Sequence, residues 1–112
     1  MKRGDVFDIR LNPTEGSEQA GVRPAIIVSR NGINQHSPVV VIVPLTKAAN
    51  VSRQYPNNVL IKAGDGGLTV DSVALGGQIR AVSTSRLLRY RGRLTAVTIK
   101  EIDRALRITL QL

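Results

Sequence analysis

The run VVVIVPLT at residues 39–46 decides how this chain folds. Its first five residues are all apolar and β-branched, which predicts a strand buried on both faces at the centre of a sheet. We expect this strand to end at Pro44-Leu45-Thr46, because proline lacks the amide donor that a central strand needs. The other segments should then pack around it.

Two further strands are predicted before this run. Residues 4–11 alternate apolar and charged side chains (FDIRL at 7–11), the pattern of a half-buried strand. Residues 25–29, AIIVS, predict a buried strand that follows Arg23-Pro24, and RNGINQH at 30–36 predicts a turn. Between the two strands, residues 12–21 form a polar loop longer than a hairpin needs, and such loops often carry function.

The rest of the chain changes from strands to one helix. Residues 59–62 predict a fourth strand, and residues 68–75 and 78–82 predict a strand pair interrupted by Gly76-Gly77, where a bulge or bend is expected. Apolar residues at 99, 102, 106 and 110 share one helical face, and Thr98 with Glu101 has the spacing of a capping box. We therefore predict a helix at 98–110 that closes a small, mostly β antiparallel sheet or barrel, one domain over residues 1–112.

The charge of the chain favours a polyanionic partner. Sixteen Lys and Arg residues oppose eight Asp and Glu residues, a net charge of +8, which makes nucleic acid the leading partner class. Five arginines fall within fourteen residues with no acid among them, and this run is either a solvated edge or a phosphate-binding edge: Arg80, Arg86, Arg89, Arg91 and Arg93. Only three aromatic residues are present, so RNA would be held mainly by phosphate contacts and base-edge hydrogen bonds.

Several classes of site do not fit the sequence. With no cysteine, a disulfide framework, a zinc finger and a thiol nucleophile are excluded. His36 is the one histidine and the acidic residues show no ligand spacing, so we expect no metal and no cofactor. The glycines at 64–67 and 76–77 lack the pattern of a phosphate-binding loop and predict turns. No segment has the roughly 20 apolar residues of a membrane span, and we expect a cytoplasmic protein.

A series of short motifs runs in order along nearly the whole chain. They are RGDV at 3–6, LxP at 11–13, GSEQxGxRP at 16–24, SP at 37–38 before a strand ending Leu45-Thr46, DSV at 71–73 and QIR at 78–80. Together they resemble the MazF/PemK family of toxin endoribonucleases. The sequence departs from the commoner family pattern at Gly76-Gly77 and at His36, so the resemblance does not extend to the RNA sequence that is cut.

The resemblance implies a fold, an activity and partners. The fold would be an SH3-like antiparallel β-barrel of the CcdB/PemK type, assembled as a homodimer with a groove across its interface. The activity would be sequence-selective, metal-independent cleavage of single-stranded RNA, in particular mRNA, that leaves a 2′,3′-cyclic phosphate and a 5′-hydroxyl. By position in the family motifs the catalytic pair would be Arg23 and Thr46. The partner in a toxin–antitoxin system would be an acidic, MazE-like antitoxin.

The residue types agree with that chemistry. The ribose 2′-hydroxyl is itself the nucleophile, so the protein must supply in-line geometry and stabilise a charged phosphorane. A guanidinium offers a planar fork of donors, and a hydroxyl adds a short one. Arginine is a poor base, and Glu18 is our candidate general base. The candidate RNA-binding residues are polar or basic and lie in loops or at strand ends: Ser17, Gln19, Asn34, Lys47, Gln78 and Arg80.

Two other functions remain open from the sequence. A non-catalytic topoisomerase poison resembling CcdB would bind a gyrase subunit and leave RNA intact. A basic barrel that only binds RNA would bind with steep salt dependence and give no product.

Overall fold

A computed structural model describes all 112 residues and contains seven strands and two α-helices. The strands are β1 (Asp5–Arg10), β2 (Val22–Ile27), β3 (Val39–Lys47), β4 (Asn58–Ile61), β5 (Ser72–Leu75), β6 (Arg80–Ser83) and β7 (Leu87–Arg93). The helices are α1 (Asn31–His36) and α2 (Ala96–Leu110). The prediction of a mostly β protein with a C-terminal helix is confirmed.

One antiparallel sheet contains all seven strands, and β3 lies at its centre as predicted. The strand order is β4-β5-β3-β2-β1-β7, with β6 also paired to β3. Strands β4 and β7 lie at the two ends of this order and do not pair with each other, so the sheet is not closed. The open antiparallel sheet agrees with the coarse fold class, whereas the barrel predicted from the sequence is not confirmed.

Strand β3 runs through the predicted end at Pro44-Leu45-Thr46 and stops at Lys47. Its residues 39–42 pair with β6, and its residues 45–47 pair with β5. Pro44 therefore lies where one partner strand gives way to the next, so its missing N–H costs no ladder hydrogen bond on that edge. The central strand can in this way contain a proline and carry Thr46 beyond it.

The segments after β4 differ from the prediction of a long strand pair. Strand β5 covers only Ser72–Leu75, and β5 and β6 pair with β3 rather than with each other. Between them Gly76–Gln78 form a 3₁₀ turn packed closely on the backbone of Asn57, where a Cβ on Gly76 would overlap the Asn57 carbonyl oxygen. The glycine pair thus marks a tight turn that returns the chain to the same edge of β3.

Three other local predictions are corrected by the structure. Residues 31–36 form the short helix α1 rather than a turn. Helix α2 begins at Ala96, and its N-cap is Thr95, whose hydroxyl accepts a hydrogen bond from the Thr98 amide at 3.3 Å. The predicted cap at Thr98 is therefore wrong, because the helix begins about one turn earlier. The Thr98 hydroxyl instead donates to Asp65 at 2.6 Å. Most of the arginine run lies in β7, which pairs with β1. This strand was not predicted from the alternation of apolar residues.

Two hydrophobic clusters hold the sheet. The larger has thirteen buried residues, including Ile26, Val43 and Leu45 of the sheet and Ile102 and Leu106 of α2. The smaller has seven, with Ile27 and Ile42 among them. Because neighbouring residues of β2 and β3 enter different clusters, both strands are packed on two faces, and their ends are rigidly positioned. No helix of the protein has the length and apolar character needed to cross a bilayer.

Candidate active site

A pocket of about 290 Å³ opens where the end of β3 meets the start of β2. Arg23 and Thr46 both line it, so the structure brings the predicted catalytic pair together. Its other walls come from β1, β7 and the segment 68–72. The pocket therefore draws on five separate parts of the chain, all attached to one rigid sheet.

The register of β2 and β3 explains why this pair meets. Ala25 lies opposite Pro44, and Ile26 lies opposite Val43. Continuing this antiparallel register by two residues aligns Arg23 with Thr46. The pairing of the two strands stops at Ala25–Pro44, and Pro24, the next residue of β2, has no amide hydrogen to extend it. The strands can therefore separate at this point and leave space between the two side chains.

Arg23 presents most of its guanidinium to the pocket. Its Nε donates to the Ala20 carbonyl oxygen at 3.2 Å, and its two terminal nitrogens make no bond within the protein. The residue as a whole is partly exposed, and its hydrogen bond to Ala20 lies at the surface. One edge of the guanidinium is thus held by the loop, while the outer donors are free for a ligand.

Thr46 is buried, with 7% of its surface exposed. Its hydroxyl oxygen accepts a long hydrogen bond from Nδ2 of the Asn50 side chain at 3.4 Å, which leaves the hydroxyl proton without a protein acceptor. A buried hydroxyl with a free proton is a directed donor toward the pocket it lines. Lys47 follows it, is exposed, and lines the same pocket without an ion pair.

Asp8 and Arg91 form the opposite charged part of the pocket. Arg91 Nη1 lies 3.0 Å from Asp8 Oδ1, and Arg91 Nη2 donates to the Gly67 carbonyl oxygen at 3.3 Å. Asp8 is the one carboxylate among the lining residues, against the cations Arg23, Lys47 and Arg91. The pocket therefore has a net positive charge and suits a phosphate.

A short loop that precedes β5 completes the wall. Ser72 is buried, and its hydroxyl donates to the Val70 carbonyl oxygen at 3.0 Å. The neighbouring Asp71 is exposed, and the backbone hydrogen bond from Ala63 lowers the pKa of its carboxyl, with a further contribution from Lys62. Asp71 thus fastens this loop to the end of β4 and does not line the pocket.

A second groove gathers four of the other predicted residues. Glu18, Gln19, Gln78 and Arg80 line a cavity of about 360 Å³ beside Pro44. Glu18 accepts a hydrogen bond from the Glu15 amide at 2.6 Å, within its own loop, and it does not line the first pocket. We call this cavity the loop groove, because the loop 12–21 forms one of its sides.

Asn34 does not belong to either cavity. It is 7% exposed, its amide nitrogen donates to the Ser29 carbonyl oxygen at 2.8 Å, and its carbonyl oxygen accepts from the Ser29 hydroxyl. These bonds join α1 to Ser29, two residues after the end of β2, and leave no polar group of Asn34 for a ligand. The RNA-binding role predicted for Asn34 is therefore withdrawn.

Asp8 and Arg91 are the site residues that sequence reasoning missed. In the sequence Asp8 is only a charged member of an alternating strand, and Arg91 is one arginine of a basic run. Their sequence separation of 83 residues hides the pair, and no local signal could have found it without the β1–β7 register. No three side chains of the His, Asp or Glu type come together anywhere in the protein.

Comparison with characterised proteins gives the class of this chain. Endoribonuclease MazF9 of Mycobacterium tuberculosis is 38% identical over 117 aligned residues, covering 100% of this chain and 98% of that protein. Endoribonuclease MazF of Staphylococcus saprophyticus is 37% identical, covering 100% of this chain and 92% of that protein. The similarity thus spans the whole domain, and the class is that of the MazF-like endoribonucleases.

Solved structures agree with this class. MazF from Deinococcus radiodurans superposes with a TM-score of 0.84 at 25% identity, covering 100% of this chain and 97% of that one. An endoribonuclease in complex with its cognate antitoxin, from a mycobacterial species, superposes with a TM-score of 0.82 at 28% identity, covering 100% and 96%. A family model described as the PemK-like, MazF-like toxin of type II toxin–antitoxin systems matches residues 2–110. The chain belongs to this family as a MazF-like endoribonuclease toxin.

Proposed function

We propose that this toxin cuts single-stranded RNA without a metal ion, by attack of the ribose 2′-hydroxyl on the adjacent phosphorus. The observation that carries the proposal is the shared pocket into which Arg23 presents its free terminal nitrogens and Thr46 its hydroxyl. A scissile phosphate between them would meet donors from two sides. The products would be a 2′,3′-cyclic phosphate and a 5′-hydroxyl.

The reaction needs charge stabilisation more than a nucleophile from the protein. As the new O2′–P bond forms and the P–O5′ bond breaks, negative charge grows on the non-bridging oxygens. Arg23 can donate two parallel hydrogen bonds to these oxygens, and Thr46 can donate one. Thr46 is held by the buried strand that carries it, and Arg23 by its hydrogen bond to the Ala20 carbonyl oxygen, so both groups are oriented before the substrate arrives. Lys47, exposed at the pocket rim, suits a neighbouring phosphate.

Two protons must also move, one from the 2′-hydroxyl and one to the leaving O5′. Asp8 lines the pocket with Arg23, whereas Glu18 lies in the loop groove. We therefore infer that Asp8 rather than Glu18 is placed to accept the first proton. The free Asp8 Oδ2, which makes no bond in the protein, is the acceptor atom. Arg23, or water bound beside it, would deliver the second proton.

Sequence selectivity would come from the loop groove. Gln19 and Arg80 offer donors and acceptors that suit base edges and phosphates, and Ser17 lies in the same loop as Gln19. Tyr55 is exposed but lines a different cavity, so this groove reads bases without an aromatic platform. A single strand running from the pocket along β3 would enter this groove, because Pro44 lines it and Thr46 lines the pocket.

The partners follow from charge and from the relatives. With a net charge of +8, the protein suits an acidic antitoxin whose tail occupies the same cavities as RNA. A mycobacterial relative was solved with its cognate antitoxin, and we infer the same kind of partner here. We also propose that the protein forms a homodimer and that its sheet has the fold of an SH3-like barrel. Inhibition by a small acidic protein encoded beside the toxin would test the partner.

One experiment tests the proposed reaction. Purified protein is incubated with single-stranded RNA in excess EDTA, and both ends of each fragment are sequenced and chemically typed. We expect cleavage at a short sequence, with cyclic phosphate and 5′-hydroxyl ends. Loss of all cleavage in EDTA would point to a metal nuclease. Tight binding without any product would favour a module that only binds RNA.

A further inference from the structure

The loop 12–21 is fastened to the sheet through main-chain atoms. At its start, Arg80 donates to the Leu11 carbonyl oxygen at 3.2 Å, and Arg86 donates to the carbonyl oxygens of Arg10 and Asn12. At its base the Leu11 amide donates to the Gly21 carbonyl oxygen at 2.8 Å. These bonds fix both ends of the loop but not its middle.

Gln78 holds the middle of the loop. Its side-chain oxygen accepts a hydrogen bond from the Gln19 amide at 2.8 Å, and its side-chain nitrogen donates to the Ser17 carbonyl oxygen at 3.4 Å. One primary amide thus bridges two main-chain groups of the loop, 59 and 61 residues away in sequence. We call this arrangement the Gln78 clamp.

The clamp is built on a rigid support. Gln78 ends the 3₁₀ turn at 76–78, and Gly76 in that turn is packed against the Asn57 carbonyl oxygen. The amide of Gly76 also donates to that oxygen at 3.1 Å. Because the backbone of this turn is closely packed, the Cα of Gln78 is fixed in position. The Gln78 side-chain amide can therefore hold a loop that contains no helix or strand.

The loop in turn holds the catalytic arginine. The residue after Gln19 is Ala20, whose carbonyl oxygen accepts the Nε hydrogen bond of Arg23 at 3.2 Å. This is the one protein bond that the Arg23 guanidinium makes, so the position of Ala20 sets the direction of its free donors. The chain of contacts from Gln78 to Arg23 passes through two adjacent loop residues only.

From this geometry we propose that Gln78 is a positioning residue for RNA cleavage, which orients Arg23 by clamping the loop at Ser17 and Gln19. This inference rests on the proposed function of Arg23. It differs from a direct RNA-binding role for Gln78, because its amide oxygen and nitrogen are both engaged with the loop before RNA arrives. Releasing the clamp frees Ala20 and lets the guanidinium of Arg23 sample orientations that miss the phosphate.

The first test needs no RNA. In the purified wild-type protein, NMR measures hydrogen exchange of the Gln19 amide and the Arg23 Nε–H signal. We expect Gln78→Ala to speed Gln19 exchange and to broaden or shift the Arg23 signal, whereas Gln78→Glu keeps an acceptor and restores the protection of Gln19. If Gln78→Ala folds poorly, Gln78→Met replaces it, because methionine keeps the side-chain volume without the hydrogen bonds. The same changes at Gln19 and Arg23 are then expected. Gln35→Ala, an exposed glutamine on α1, is the matched control.

The second test measures cleavage. Misplacing a catalytic group by about 1 Å costs up to roughly 100-fold in rate. We therefore expect Gln78→Ala to lower kcat by about 10- to 100-fold with little change in KM, and Gln78→Glu to recover part of the loss. A higher KM at unchanged kcat would overturn the proposal in favour of direct RNA contact. Unchanged exchange at Gln19, or an unchanged Arg23 signal, would overturn it whether or not the wild-type protein cleaves RNA.

Discussion

The carboxylate of Asp8 and the guanidinium of Arg91 lie 3.0 Å apart on the wall of the pocket that contains Arg23 and Thr46. Their side chains are 19% and 15% exposed, so the pair is largely shielded from water. Arg91 is further held by the Gly67 carbonyl oxygen. Arg91 is thereby paired within the protein, and Arg23 and Lys47 are the cations of the pocket that have no ion pair.

Asp8→Asn is expected to separate binding from chemistry. Removing the one carboxylate makes the pocket more positive, so RNA should bind more tightly and KM should fall. Loss of the proton acceptor should lower kcat by about 10²- to 10⁴-fold. Initial rates over a range of RNA concentrations measure both constants. Asp103→Asn is the matched control, because Asp103 lies outside the pocket and forms an ion pair with Arg3, with an N–O distance of 2.6 Å. An unchanged kcat in Asp8→Asn would remove Asp8 from the mechanism.

Arg23→Ala should abolish nearly all cleavage without unfolding the protein. Its loss removes the donors that stabilise the phosphorane, and losing one such group costs about 10²- to 10³-fold. Arg23→Lys keeps the charge but not the planar fork and should recover only part of the rate. Arg23 makes a single protein bond, so thermal melting should change little. Arg104→Ala on the exposed face of α2 serves as the control for lost charge, and cleavage that survives Arg23→Ala would contradict the proposed site.

Thr46→Val and Thr46→Ser test the hydroxyl by itself. Valine keeps the shape of this buried residue but removes the donor, so kcat should fall by about 10²-fold or more while the melting temperature holds. Serine keeps the donor and should retain most of the activity. Similar rates for the two variants would show that packing, not the hydroxyl, is what Thr46 provides.

Gly67→Ala should destabilise the fold and disturb the pocket together. Gly67 has φ of +70°, and a Cβ there would overlap the carbonyl oxygen of Arg91 on β7. We expect a loss of about 3 kcal/mol in the free energy of unfolding, measured by urea denaturation. Gly16→Ala is the control, because Gly16 also has a positive φ, +56°, but has nothing within 4 Å. That change should cost only about 1 kcal/mol, and equal losses would mean that strain, not overlap, dominates.

The central strand was predictable because its cause is local. Five consecutive β-branched apolar residues leave few alternatives to a buried strand, and β3 pairs with β2, β5 and β6 as such a strand should. The helix α2 was also predictable from its apolar period, although its cap was not. Thr95 and Thr98 are equally good cap residues in sequence, but in the structure the Thr95 hydroxyl accepts the Thr98 amide as the cap, while the Thr98 hydroxyl donates to Asp65.

What the sequence could not predict is decided by contacts within the fold, some between neighbouring residues and some between residues far apart in the chain. The catalytic roles predicted for Arg23 and Thr46 came from family motifs. That the two side chains lie in one pocket depends on the register of β2 and β3. Asn34 and Glu18 have the residue types of a site, but Ser29 and Glu15 engage them within the protein. The Asp8–Arg91 pair depends on the pairing of β1 with β7, a strand that its arginine content concealed.

The loop 12–21 is gripped almost entirely through its peptide groups, by the side chains of Gln78, Arg80 and Arg86. Peptide groups are present whatever amino acid occupies a position. The side chains at Thr14, Glu15 and Ser17 can therefore drift during evolution without releasing the loop. A toxin built in this way can acquire new RNA targets by point mutation while the cutting chemistry stays intact, so closely related toxins need not share a cut sequence.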